Sequence, residues 1–180
     1  IKKINLKKPI KLLYLGRLRK EKGFIDLIKI FNNLKINCNL TIVGNDFEFL
    51  KKKNYPKNSN IKIFGQVSSE KKLIKFYDNS DIFILPSYTE AYPQVILESL
   101  ARLKPVIIFE EISFLKSKFR HGLFCCYRNH LSLEKTIKKI IDNYEEIQIS
   151  IYENKLYLLK DFQIQMNNIL NKKFDDISKT

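Results

Sequence analysis

"IFILPSYTEAYPQVILESLARLKPVIIF", Ile82 to Phe109, holds a whole strand, loop, helix and strand in sequence. "IFILP" (Ile82 to Pro86) and "VIIF" (Val106 to Phe109) are apolar from end to end, so each predicts a strand covered on both faces rather than one with a wet side. Between them, "PQVILESLARL" (Pro93 to Leu103) places Val95, Ile96 and Leu100 at helical spacing. Pro93 suits the first helical position, where its missing N–H costs nothing.

The same alternation extends in both directions. Upstream lie strand "IKLLYLG" (Ile10 to Gly16), helix "GFIDLIKIFNNL" (Gly23 to Leu34), strand "LTIVG" (Leu40 to Gly44) and helix "DFEFLKKK" (Asp46 to Lys53). Strand "IKIFG" (Ile61 to Gly65) and helix "SEKKLIKFYDNS" (Ser69 to Ser80) follow, with Ser68 or Ser69 placed as N-cap. Downstream come strand "LFCC" (Leu123 to Cys126) and two helices, Ser132 to Tyr144 and about Ile147 to Asn171. Buried strands separated by helices predict a doubly wound, Rossmann-like parallel sheet of the α/β class, with residues 1–180 as one domain and 147–180 as a helical extension of it.

The bulk composition agrees with one core. The chain has 180 residues, 44% of them hydrophobic, and no apolar run approaches the roughly 20 residues of a membrane span. Three cysteines, Cys38, Cys125 and Cys126, form no disulfide framework or zinc motif and predict a reducing, cytoplasmic setting. The net charge of +14 invites a polyanion-binding role. It is discounted because five of the 33 basic residues are arginine and the other 28 are lysines scattered along the whole chain. The chain opens on Ile1, which reads as a piece of a longer protein.

In open sheets of this kind ligands bind beyond the carboxyl ends of the strands. The first strand ends in "GRLRKEKG" (Gly16 to Gly23), which is neither G-x-G-x-x-G nor a P-loop. A nicotinamide dehydrogenase is therefore disfavoured. The turn does put Arg17 and Lys22 at a helix N-terminus, where backbone donors and the helix dipole already favour an anion. Glu90 precedes the next helix and Glu98 lies about five residues inside it, roughly 7.5 Å along the axis, so both can face one ligand across the helix end. Carboxylates accept from paired hydroxyls, and the amides between them suit a diphosphate. The plainer alternative makes Glu90 a dipole complement and Glu98 a surface residue. All four residues belong at one edge of one sheet, which favours a ligand carrying both phosphates and hydroxyls.

"YLGRLRKEKGFIDLIKIF", "LTIVG", "IKIFGQV", "FYDNSDIFILPSYTEAYPQVILESLARLKPVII" and "HGLF", in this order, resemble the C-terminal domain of the GT-B retaining glycosyltransferases of family 4 over about Ile10 to Tyr144. The E-x7-E motif, Glu90 to Glu98, is the centre of the likeness. The resemblance implies a domain that binds a nucleotide-diphosphate-sugar donor and works with an N-terminal domain outside this chain, which would bring an acceptor glycan or lipid-linked glycan. Arg17 and Lys22 would hold the diphosphate, Glu98 the ribose hydroxyls and Glu90 the donor sugar. Backbone groups from Ala91 through Tyr92 and Pro93 to Gln94 would touch sugar and phosphate, with Gly16 and Val95 bordering them. Gln66 and Val67, after Gly65, would lie near the base.

By the same resemblance no metal and no cofactor are expected, and no nucleic acid. Surface-polysaccharide or lipopolysaccharide synthesis would place the protein in the cytoplasm or, as a peripheral protein, at the inner face of the cytoplasmic membrane. The alternative from another class is a basic nucleotide- or polyanion-binding module without transferase activity. Two departures stand out: Ala91 occupies a position often held by glycine, and "FEEISFLKSKFRHG" (Phe109 to Gly122) replaces a segment that is commonly glycine-rich. His121 and His130 match no catalytic position of the family. The apolar last helix is expected to pack on the missing domain, the plainer alternative being that it covers its own sheet.

Overall fold

The computed structural model describes residues 1, 4, 7–45, 58–154 and 156. Six parallel strands form one sheet: β1 (Ile10–Leu15), β2 (Cys38–Val43), β3 (Ile61–Phe64), β4 (Ile82–Leu85), β5 (Val106–Phe109) and β6 (Leu123–Cys126). Their order is β3-β2-β1-β4-β5-β6. The helices are α1 (Phe24–Asn32), α2 (Glu70–Asp78), α3 (Gln94–Ala101), α4 (His130–Asp142) and α5 (Tyr144–Tyr152). Short 3-10 segments run over Lys20–Lys22 and Glu110–Lys118.

The period-2 geometry of a strand sorts its residues between two cores. Leu12, Tyr14, Ile82, Ile84, Ile107 and Phe109 point to the face covered by α1 and α4. Leu13, Leu15, Phe83, Leu85, Val106 and Ile108 point to the face covered by α2 and α3. Every one of these side chains is buried. Each contributes about 1.5–3 kcal/mol by leaving water, which is why the strands read as unbroken apolar runs.

The reversal of strand order falls between β1 and β4. Asp81 ties the amino ends of this pair together: its Oδ2 accepts from the Lys11 amide at 2.9 Å, and its own amide donates to the Lys11 carbonyl at 2.8 Å. The register of β1 on β4 covers only Leu12 with Ile82 and Leu13 with Phe83, against six matched pairs between β1 and β2. The carboxyl ends of β1 and β4 therefore border a crevice rather than a continued ladder.

Several expectations are adjusted. Pro93 is the N-cap of α3, not its first helical residue: its ψ of 111° is extended, and the helix begins at Gln94. Ser69 does cap α2 by position, but its side chain makes no capping bond. The stretch after β5 winds as 3-10 helix, where no element was expected. The last helix begins at Tyr144 rather than Ile147 and, among the described residues, ends at Tyr152; the expected continuation to Asn171 and the helix over 46–53 lie outside the described residues. Ile151 is buried among the α2–α3 side of the sheet and Leu156 packs there too, so this part covers its own domain. No helix among the described residues is long and apolar enough to cross a membrane.

Candidate functional site

A cavity of about 280 Å³ opens above the β1–β4 junction, lined by Tyr14, Leu15, Gly16, Arg17 and Lys22 from the first loop and by Leu85, Glu90, Pro93, Gln94 and Val95 from the second. The strand order alone singles out this place, because loops leave β1 and β4 toward opposite sides of the sheet and part there. Its volume lies just below the usual range of about 300–1,000 Å³ for ligand sites, enough for a diphosphate and its neighbours but not a whole nucleotide.

Its centre is an ion pair. Lys22 Nζ lies 2.6 Å from Glu90 Oε1, with the side chains only 20% and 11% exposed. Ser87 Oγ, itself buried, donates to the same Oε1 at 2.7 Å. Among the described residues Oε2 takes no hydrogen bond, which leaves it able to accept one. An ammonium has three donors, and the bond to Glu90 orients Lys22 while leaving two. Arg17 is exposed beside it. The Tyr14 hydroxyl donates to the Arg17 carbonyl at 2.8 Å and so fixes the turn, while burial, followed by the nearby Glu90 and Glu21 charges, pushes the phenol well above its usual range and keeps it a donor.

The N-terminus of α3 forms the adjacent wall. The amides of Gln94 and Val95 precede the first intrahelical acceptor, and no side chain caps this end. An anion beside Lys22 would meet both the cation and the positive end of the helix.

Of the expected set, Gly16, Arg17, Lys22, Glu90, Pro93, Gln94 and Val95 line the cavity, and Ala91, Tyr92, Glu98, Gln66 and Val67 do not. Glu98 lies one turn beyond Gln94 on the same flank of α3 and is exposed, with Oε2 accepting from the buried Tyr77 hydroxyl at 2.7 Å. Burial first, then this bond, pushes the Tyr77 phenol far above its usual range, so it stays protonated and donates to Glu98. Gln66 follows β3, two strands away from β1, and accepts from Asn45 Nδ2 at 3.1 Å. Lys118 Nζ, from the 3-10 segment, donates to the Ala91 carbonyl at 3.2 Å and lies 5.5 Å from the Tyr92 ring centre. The non-glycine segment after β5 thus builds a cationic and aromatic flank beside the Glu90 loop.

Sequence reasoning missed Tyr14, Tyr77, Ser87, Glu111 and Arg128. Arg128 and Glu111 form a bidentate pair, Nε to Oε1 at 2.7 Å and Nη2 to Oε2 at 3.0 Å. The available signal was composition: where lysine fills nearly every basic position, an arginine marks a place that needs a planar fork.

These bonds from Arg128 hold the Glu111 carboxyl below its ordinary 4.5, against an opposing effect of burial. Such a group binds its proton less readily folded than unfolded, so the pair adds stability above pH 4.5 and loses it as the pH falls through the lower folded-state value. Melting temperatures followed from about pH 7 to about pH 3 should fall less steeply in Glu111→Gln than in the parent protein. Equal slopes would remove Glu111 from the acid transition.

Sheet order, crevice and helix end together define a Rossmann-like α/β domain of the kind that forms half of a GT-B glycosyltransferase. The chain belongs to the family of glycosyl transferases group 1, which it matches over residues 1–156. It is 28% identical over 161 residues to an uncharacterized glycosyltransferase of Haemophilus influenzae, covering 86% of this chain and 45% of the relative. It is 31% identical over 107 residues to the capsular polysaccharide biosynthesis glycosyltransferase CapM of Staphylococcus aureus, covering 52% of this chain and 26% of the relative. The chain thus spans less than half the length of these curated relatives.

Among solved structures, the lipopolysaccharide outer core galactosyltransferase WaaB in its apo form shares the fold with a TM-score of 0.72 at 20% identity, over 94% of this chain and 51% of that one. Anabaena HepE in complex with UDP and glucose matches with a TM-score of 0.65 at 15% identity, over 95% of this chain and 49% of that one.

Proposed function

We propose that this chain is the donor-binding half of a retaining, metal-independent glycosyltransferase acting in surface-polysaccharide or lipopolysaccharide assembly. The observation that carries the proposal is the Lys22–Glu90 pair seated in the crevice between β1 and β4, against the uncapped end of α3. Breaking an anomeric bond develops negative charge on the departing diphosphate and positive charge on the sugar ring. In this reading Lys22, Arg17 and the amides of Gln94 and Val95 hold the leaving oxygens and take over the charge-neutralising role of a divalent ion. Glu90 Oε2 accepts from a sugar hydroxyl, and Glu98, turned by Tyr77, accepts from the ribose. Gln66 and Val67 border the base, which lies outside the small cavity. The acceptor arrives with an N-terminal half, at or near the cytoplasmic membrane. Family membership, the half-length match and the CapM relative support this reading.

The test is the melting temperature of the whole protein with UDP, GDP, ADP and CMP in turn. One nucleotide raises it, by an amount equivalent to about 2.7 kcal/mol at a hundredfold excess over Kd. Arg17→Ala and Glu98→Ala each remove most of the shift. A flat panel together with tight, salt-sensitive binding of DNA or RNA would instead establish the basic polyanion-binding module.

A further inference from the structure

We infer that Arg128, clamped by Glu111, is the positioning residue that sets the loop bearing Glu90; the consequence for catalysis rests on the transferase reading above. Three loops meet at this guanidinium. Pro86 and Ser87 follow β4, Glu111 follows β5, and Arg128 follows β6. Nη1 donates to the Pro86 carbonyl at 2.8 Å and Nη2 to the Ser87 carbonyl at 3.3 Å, while the other edge of the fork holds both oxygens of Glu111. The Arg128 Cζ lies 3.9 Å from the Tyr88 ring centre and 4.6 Å from that of Phe109.

The path to the site is short and continuous. Arg128 fixes the Ser87 backbone, the Ser87 hydroxyl donates to Glu90 Oε1, and Lys22 meets the same oxygen from the first loop. Tyr88, beneath the guanidinium, reaches Asp26 on α1 with its hydroxyl at 2.8 Å and the Glu21 carbonyl with its amide at 2.9 Å. Arg128 thus holds the Glu90 loop on one side while the Lys22 turn holds it on the other.

Two features separate this role from ligand binding and from mere surface pairing. The Arg128 side chain is 14% exposed, and its donors are committed to Glu111 and the two carbonyls, which leaves little for a phosphate. A lysine has three donors but all on one nitrogen, so it cannot span Glu111 and both carbonyls as the planar fork does.

The experiment compares the whole parent protein with Arg128→Ala, Arg128→Lys and Glu111→Gln, using hydrogen exchange of the segment 82–93 and donor turnover. Loop amides should exchange at least about tenfold faster in Arg128→Ala, with Arg128→Lys close to it and Glu111→Gln between it and the parent. The kcat should fall about tenfold with KM for the donor little changed, and Arg128→Ala combined with Glu90→Gln should be no slower than Glu90→Gln alone. Unchanged loop exchange in folded variants, or fully additive losses of turnover, would overturn the inference. If Arg128→Ala does not fold, Arg128→Lys and Glu111→Gln decide the same points. Absence of turnover with every nucleotide sugar in the parent would sink the transferase reading, while the exchange comparison still decides the clamp.

Discussion

If the proposed transferase reading holds, Lys22→Ala should lower kcat/KM for the nucleotide-sugar donor by about 10²–10³ in the whole protein, the loss seen when one preorganised group facing the developing charge is removed. Two effects add in the same direction. The cation that would face the departing diphosphate is gone, and Glu90, whose side chain is only 11% exposed, keeps just the Ser87 hydroxyl in its place. A half-buried group that loses its partner costs about 1–3 kcal/mol, so the melting temperature drops as well. Lys22→Arg separates the two: it restores the charge and much of the fold, but its fork reaches Glu90 and the leaving oxygens at different points, so kcat recovers less than stability. Steady-state kinetics beside a melting curve decide the matter. A loss below about threefold in kcat/KM, with the protein folded, would place the departing charge elsewhere.

The largest effect on stability is expected at Gly23. This residue closes the 3-10 turn and opens α1 with φ of 66°, in the left-handed region. A Cβ there would stand 2.0 Å from the Pro86 carbonyl oxygen and 3.0 Å from Arg128 Nη1. The oxygen cannot yield cheaply, since it is backbone and is held by Arg128 at 2.8 Å. Left-handed strain of about 1–2 kcal/mol and overpacking of about 1–3 kcal/mol make Gly23→Ala cost roughly 3–4 kcal/mol, or about 10 °C in Tm for a chain of this size. The control is Gly65→Ala, where a Cβ meets nothing within 4 Å and the melting temperature should hardly move. Equal behaviour of the two variants would show that the Glu90 loop and the Lys22 turn are not pressed together as described.

Gly23 also shows where sequence reading stops. That "GRLRKEKG" is a turn before a helix was legible from its glycines and charges. That its last glycine must lie against Pro86, 63 positions on, was not, because nothing near Gly23 encodes the approach. Glu98 is a similar case: helical spacing placed it about five residues into the helix, but its turn toward Tyr77 depends on how α2 packs beside α3.

The chain's pattern of apolar runs by itself determined the doubly wound sheet, since a strand buried on both faces has no polar alternation and a helix has a 3.6-residue stripe. The motif Glu90 to Glu98, with Arg17 and Lys22, determined which family it resembles. Tertiary structure alone decided the strand order that opens the crevice between β1 and β4, and the small cavity that gathers seven of the expected residues and leaves Glu98 along the helix. It also decided the grip of Arg128 on Pro86 across 42 positions of sequence. Local burial leaves its period in the chain, whereas a contact between distant loops requires only that each carry a suitable group, and many groups in a lysine-rich chain would look equally suitable until the sheet brings two of them together.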